Sequence, residues 1–375
     1  MAEEPQRVTR ERRPSVLLGL SGLRIDGGVA LVSRCIARAL DEEAAAGRLE
    51  RVDHILLFER PGSLTPPPHR GDQFLSRGSY LRFVWQTWRS FRRHRQDLVF
   101  FDVIGLARSL RLPLPPFPPK NVMVFVHGGE FDGVRDEVRS RVLRSATRVL
   151  TNSEFTAEST ARSVPDCAER IRVVPLCLDP ERVERWVPQP SAPREPAALI
   201  VGRMWGKERG KGHDALLEAW PAVLLRVPAA ELWIVGQGDD VERLRAVARG
   251  LGIESSVKFL GRVGDDELGR LYLRASVFAM PSRQEGFGLV YAEAMWHGLP
   301  CIGSTRDAAG QVIVHGETGY LVPYGDPAAS ASAIVSLLLD PERARAMGEA
   351  GRRRAQGHFG YARFRRDLLS ALELA

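Results

Sequence analysis

Short apolar runs alternate along the chain with longer segments in which apolar residues recur every three or four positions. The runs at 15–20 (SVLLGL), 54–58 (HILLF), 98–101 (LVFF), 122–126 (VMVFV), 149–152 (VLTN) and 171–174 (IRVV) read as buried strands. A second series follows at 197–201 (AALIV), 232–235 (LWIV), 257–260 (VKFL), 276–280 (SVFAM) and 301–303. Helical spacing fills the intervals. The helix expected over 29–43 has Leu31, Cys35, Ala39 and Leu40 on one face. Others are expected near 138–146, 215–223, 242–249, 265–275 and 287–298, and from 327 to the end. Between the two series, residues 176–196 hold five prolines and read as a linker.

Strand–helix alternation that starts twice predicts an α/β protein of two doubly wound, Rossmann-like domains facing each other across a cleft. The expected division is a polar, disordered tail at 1–13, an N-terminal domain at 14–180 and a linker at 181–196. A C-terminal domain at 197–355 and a final helix at 356–375 complete it. The chain length of 375 residues suits two domains.

Charge and cysteine usage narrow the function classes. Net charge is +7, but four lysines leave 49 of the 53 basic residues as arginine, a bias typical of GC-rich coding. No nucleic-acid-reading motif occurs, and acidic residues are interspersed almost throughout. Cys35, Cys167, Cys177 and Cys301 lack metal-ligand spacing and imply a reducing compartment. The first residues lack the apolar core of a signal peptide, and no run of 18 apolar residues is present, so a cytoplasmic protein is expected. One segment departs from the even charge pattern. Residues 74–96 carry six arginines and no acidic residue, with Leu81, Val84, Trp85, Trp88 and Phe91 at helical spacing. This is a basic amphipathic helix. It either rests its aromatic side on the sheet or lies on an anionic membrane from the cytoplasmic side.

The chemistry concentrates at 283–298, RQEGFGLVYAEAMWHG. A strand, a glycine loop and a helix succeed one another here, and a helix start behind a glycine loop offers free N–H groups to a phosphate. Glu285 lies in that loop with Gly286 and Gly288, and Glu293 lies about two turns down the helix. A carboxylate at either place can accept hydroxyls of a ribose or sugar, although two glutamates at this spacing can also be solvated helix-end residues. A second glycine loop, Gly202 to Gly212, carries Arg203 and Lys211, suited to a diphosphate. Gly27 and Gly28 stand between the first strand and its helix. His127 ends the strand at 122–126, where parallel sheets bind ligands.

The segment PSRQEGFGLVYAEAMWHGLPCI resembles the E-x7-E signature of the retaining glycosyltransferases of family 4, which have the GT-B architecture. The G-R…K-G pattern at Arg203 and Lys211, the strand-then-H-G pattern at His127 and the Asn152-Ser153 run resemble the same family. The resemblance covers almost the whole second domain and is looser over the first. It implies a metal-independent hexosyltransferase that uses a nucleotide-diphosphate sugar, a UDP-sugar first and GDP-mannose as the close alternative. No cofactor or metal is implied, since the chain has no Asp-x-Asp. On this resemblance Glu285 touches the donor sugar, His127 the donor sugar or the phosphate–sugar bond, Arg203 and Lys211 the diphosphate, and Glu293 the ribose. Gly286, Phe287, Gly288 and Leu289 cradle the donor, Arg262 and Val263 flank the base, and Gly27 and Gly28 face the pyrophosphate and acceptor. Gln311 stands where relatives often carry glutamate. The acceptor is a hydroxyl, lipid-linked or on a polysaccharide or glycoside, and the final helix crosses back onto the first domain. An inactive binding subunit and an epimerase of similar fold are the alternatives; a phosphorylase would need a lysine for pyridoxal phosphate, and none is suitably placed.

Overall fold

The computed structural model describes residues 12–24, 27–59, 71–111, 121–129, 137–186 and 194–374. The expected tail, the proline-rich stretches and the middle of the expected linker lie largely outside the described residues. In chain order the elements are β1 (Ser15–Leu20), α1 (Gly28–Ala45), β2 (Arg51–Leu56), β3 (Gln73–Leu75), α2 (Tyr80–Arg93), β4 (Leu98–Phe101), α3 (Ile104–Ala107), β5 (Asn121–Val126), α4 (Glu137–Ser145), β6 (Arg148–Thr151), α5 (Glu154–Ser163), β7 (Ile171–Val173) and α6 (Pro180–Arg185). They continue as β8 (Ala197–Val201), α7 (His213–Arg226), β9 (Glu231–Val235), α8 (Val241–Gly250), β10 (Val257–Gly261), α9 (Asp265–Arg274), β11 (Val277–Ala279), α10 (Leu289–Trp296), β12 (Cys301–Ser304), α11 (Ala309–Val312), β13 (Gly319–Val322), α12 (Pro327–Leu339), α13 (Pro341–His358) and α14 (Tyr361–Ala371).

Two compact units result. One comprises Met1–Val126, Arg135–Leu150 and Ser163–Arg172; the other comprises His127–Val134, Thr151–Arg162 and Val173–Ala375. The strands form two sheets, ordered β3-β2-β1-β4-β5-β6-β7 and β10-β9-β8-β11-β12-β13. The pairings of β1 with β2 and β4, and of β8 with β9 and β11, are parallel. Helices cover parallel sheets on both faces, which is why the strands are continuous apolar runs. Every residue of β1 is buried, and β8 is buried through Ile200. Gly19 in β1 is a packing requirement: a Cβ there would stand 2.6 Å from the Phe101 ring on β4.

Strand order reverses direction between β1 and β4 in one sheet and between β8 and β11 in the other. At such switch points the connecting helices leave to opposite faces, and a crevice opens beyond the carboxyl ends of the two strands.

Three expectations change in detail. The strand expected at 54–58 runs from Arg51 to Leu56, because its ladder with β1 pairs Arg51 with Ser15 and Leu56 with Leu20. The expected linker contains α6, which Asp179 caps through the Glu181 amide at 3.1 Å and which Pro180 starts. The apolar face of α2 is rotated from the expected one. Phe83, Val84, Thr87, Ser90 and Phe91 are buried, whereas Leu81 and Trp85 are 78% and 58% exposed. The final helix, α14, lies in the second unit, where Arg363 donates to the carbonyls of Pro175 and Leu176.

Candidate active site

The switch point between β8 and β11 gathers most of the sequence-predicted residues. The chain leaving β8 at Gly202 runs beside the chain leaving β9, with the Met204 amide donating to the Gln237 carbonyl at 3.0 Å. It then closes in a short 3-10 turn, Arg209–Lys211, before α7. The chain leaving β11 meets it there, the Arg283 amide donating to the Gly210 carbonyl at 2.8 Å. This places Lys211 Nζ 2.7 Å from Glu285 Oε2, with the two side chains 19% and 20% exposed. Two residues 74 positions apart thus form a half-buried ion pair at the mouth of the crevice.

The backbone around Glu285 is held on both sides. Its amide donates to Asp307 Oδ2 at 3.1 Å, and its carbonyl accepts from the Ala308 amide at 3.1 Å. Asp307 also accepts from the Ser282 hydroxyl and, at 3.0 Å, from the Ala309 amide that opens α11. Burial pushes the Asp307 carboxyl up to about 6 against these hydrogen bonds. The chain then turns into α10 at Gly288, whose φ of 94° is open to glycine and costly for other residues. No side chain caps this helix start; the Tyr291 amide turns back to the Gly288 carbonyl at 2.9 Å, and the Leu289 and Val290 amides ahead of it are left for an anion. Phe287 is buried and packs edge-on to Phe359.

His127 belongs to the same unit and lies on this loop. Its carbonyl is so close to Gly286 that a Cβ there would stand 1.9 Å away. Asn152 Nδ2 donates to the same carbonyl at 2.8 Å, and Ser153 Oγ donates to the Gly286 carbonyl at 2.6 Å. Gly128, with a φ of 94°, lets the two chains pass. Gln311 accepts from the Glu154 amide at 3.2 Å, so its amide side chain has a structural partner.

Other predicted residues are placed differently. Glu293 is on α10 but only 8% exposed, and both its oxygens are engaged. Arg182 of α6 donates to Oε1 at 3.1 Å and the Tyr272 hydroxyl donates to Oε2 at 3.1 Å. Arg182 also pairs with Asp265 at 2.8 Å. Burial raises the Glu293 carboxyl, while Arg182 and the Tyr272 hydroxyl pull it back down. Arg203 is exposed and paired with Glu208 of its own loop at 3.0 Å. Arg262 is exposed and Val263 half-buried, both beyond β10 at the edge of the sheet. Gly27 and Gly28 are in the first unit, at the start of α1. In the same unit Asp102, buried at the end of β4, accepts from the Ser21 amide at 2.7 Å and from the Ser21 and Ser33 hydroxyls at 2.6 and 2.7 Å. Burial pushes the Asp102 carboxyl up to about 6.

Sequence reasoning missed Asp307, Ser282, Arg182 and Tyr272. An aspartate just before Ala-Ala is a helix-cap signal that points to the Ala309 bond, but nothing local points to Glu285.

Residues 27–182 match the model described as Glycosyltransferase Family 4, and residues 195–340 match that described as Glycosyl transferases group 1. A GDP-mannose-dependent alpha-(1-6)-phosphatidylinositol monomannoside mannosyltransferase of Mycobacterium tuberculosis is 33% identical over 287 residues, 70% of this chain and 72% of that one. The chain belongs to glycosyltransferase family 4. A glycogen synthase of the same organism is 32% identical over 285 residues, 74% of this chain and 67% of that one. Among solved structures, HepE of Anabaena in complex with UDP-glucose superposes with a TM-score of 0.74 at 19% identity, covering 96% and 100% of the two chains. Sucrose-phosphate synthase of Thermosynechococcus elongatus gives 0.73 at 24% identity over 96% and 98%. These neighbours share the GT-B architecture expected above. The chain is a glycosyltransferase.

Proposed function

We propose that this glycosyltransferase moves a hexose, with retention and without a metal ion, from a nucleoside-diphosphate donor at the β8–β11 switch point to a lipid-linked hydroxyl. The Lys211–Glu285 pair at the uncapped start of α10 carries this reading. A departing diphosphate develops negative charge, and a preorganised cation or N–H cluster contributes about 3 kcal/mol to its stabilisation. Lys211 has two further N–H donors beyond the one on Glu285. Glu285 is the acceptor for hydroxyls of the donor hexose, with His127 packed against its loop. The acceptor oxygen attacks the anomeric carbon on the face that the diphosphate leaves. The bond to the phosphate oxygen breaks, and that oxygen takes the acceptor's proton. Arg203 reaches the diphosphate once it leaves Glu208. Glu293 accepts ribose hydroxyls once Arg182 moves aside. Arg262 and Val263 flank the base.

GDP-mannose is the donor to test first, reversing the order expected from the sequence. The relative matched over 70% of the chain is GDP-mannose-dependent, whereas the UDP-bound neighbour shares 19% identity. The lipid-linked acceptor rests on α2. Leu81 and Trp85 stand out from it beside Arg82, Arg89 and Arg92, and the Arg89 guanidinium lies 5.1 Å from the Trp85 ring centre. Exposed apolar side chains ringed by arginine suit an anionic interface. No helix among the described residues is long and apolar enough to cross a membrane.

The test is a thermal-shift and transfer screen with GDP-mannose and UDP-hexoses, with and without EDTA. A donor at about 100 times its Kd stabilises the protein by about 2.7 kcal/mol. Stabilisation and transfer by one donor, unchanged by EDTA, supports the proposal; loss of transfer with EDTA refutes the metal-independent part, and release of the opposite anomer refutes retention.

A further inference from the structure

We propose that Asp307 is a positioning residue that holds the Glu285 peptide in the orientation needed to grip the donor hexose. The inference rests on the reading of Glu285 given above. Four observations carry it. Asp307 is buried, and its Oδ2 accepts the Glu285 amide at 3.1 Å. The residue after it donates its amide to the Glu285 carbonyl at 3.1 Å, so residues 307 and 308 hold the peptide units on both sides of the Glu285 Cα. The Ser282 hydroxyl, wholly buried, donates to the same oxygen, tying the start of the loop to its end. Oδ1 accepts the Ala309 amide at 3.0 Å, which fixes the carboxylate itself to α11. Its partners are two backbone amides and the Ser282 hydroxyl, all on the loop or the helix start, so the aspartate shapes a path of chain and has no need to reach the donor.

The side chain of Glu285 is anchored separately, by Lys211. The two anchors divide the work: Lys211 sets where the carboxylate ends, and Asp307 sets where its backbone begins. A carboxylate turned by an ångström loses its hold on sugar hydroxyls while the nucleotide, held elsewhere, binds as before.

Protonation removes the full charge on which the clamp depends. The groups facing Asp307 are the Ser282 hydroxyl, the Tyr291 hydroxyl on α10 and the Glu285 carboxylate. Lys211 stands behind Glu285, and Arg306 adjoins in the chain. Burial raises the Asp307 carboxyl to about 6, so the clamp is complete above that pH and weakens below it.

The experiment compares Asp307→Asn, Ser282→Ala and Glu285→Ala with the unaltered enzyme, using GDP-mannose or whichever nucleotide hexose is turned over. In Asp307→Asn, kcat falls about tenfold to a hundredfold. The Kd for the nucleoside diphosphate alone stays within about twofold, because the asparagine alters the hexose end of the site only. Ser282→Ala shows the same split to a smaller degree, and serves if the asparagine variant does not fold. The unaltered enzyme loses kcat as pH drops through about 6, and Asp307→Asn lacks that limb. Equal losses in diphosphate affinity and kcat, or an acid limb that survives in Asp307→Asn, overturn the proposal. If Glu285→Ala transfers normally, the donor-site reading fails instead.

Discussion

Replacing Lys211 with alanine tests whether the ion pair at the crevice works as a unit. Its ammonium lies 2.7 Å from Glu285, with about one fifth of each side chain open to water. At that spacing the bare Coulomb attraction with an effective dielectric constant near 20 is about 6 kcal/mol. Desolvation and water screening reduce the net value to the range of a charge-assisted hydrogen bond, about 1.5–3 kcal/mol. The variant loses this term, and it loses a cation aimed at the leaving diphosphate, worth about 3 kcal/mol in the transition state. Transfer efficiency, kcat/KM, therefore falls about a hundredfold. Glu285→Ala alone also lowers it. The double variant falls by less than the product of the two, with an interaction of about 1.5–3 kcal/mol, since either single change already breaks the pair. Steady-state kinetics on the three variants at neutral pH supply the cycle. A Lys211→Ala enzyme within about threefold of the parent refutes the assignment of the cation. A cycle additive to about 0.5 kcal/mol leaves the cation in place and refutes the coupling.

Arg182→Ala leaves the Glu293 carboxylate to the Tyr272 hydroxyl and lowers the stability of the second unit by about 3 kcal/mol, the low end for a broken buried pair because Arg182 is 29% exposed. Adding Glu293→Gln recovers part of that loss in urea titration, and an unchanged midpoint in Arg182→Ala refutes the pairing. Asp102 has a raised folded-state pKa of about 6 against 3.8, so its favourable contribution is present below about 4 and lost as pH rises through 6. Asp102→Asn therefore loses less melting temperature than the parent between pH 4 and 7, and parallel curves contradict this. Leu81→Asp with Trp85→Asp keeps the fold, because both side chains are exposed, and reduces co-sedimentation with anionic vesicles several-fold. Undiminished binding assigns α2 to the fold alone.

The donor loop was legible because its signals are local. Glu285, Gly286, Gly288 and the helix behind them occupy one strand–loop–helix unit, and Lys211 occupies another. The parallel order of the sheet then makes their meeting at a switch point the default. Arg182 was hidden for the opposite reason. It sits on a six-residue helix, too short to show a period, among prolines that read as a linker, and its partner Glu293 is 111 positions away. Glu293 looked available for the same cause: its neighbours on α10 are apolar, but the groups that cover it come from α6 and α9. On α2, apolar residues occupy more than half of the helix circumference, so spacing alone did not fix which part the sheet covers.

The hydrogen bond from Ser153 to Gly286 spans 133 positions. Its donor is synthesised well before its acceptor, and the donor loop closes only after most of the chain has left the ribosome. Contacts of such separation form late and slow the search for the native state. The same bond constrains recombination. A chimera joined to a relative anywhere between 174 and 196 inherits the glycine loop from one parent and the serine, asparagine and histidine that brace it from the other. Crossovers that carry 127–162 together with 281–311 preserve the brace, and this inheritance marks which fragments of two glycosyltransferases can be exchanged.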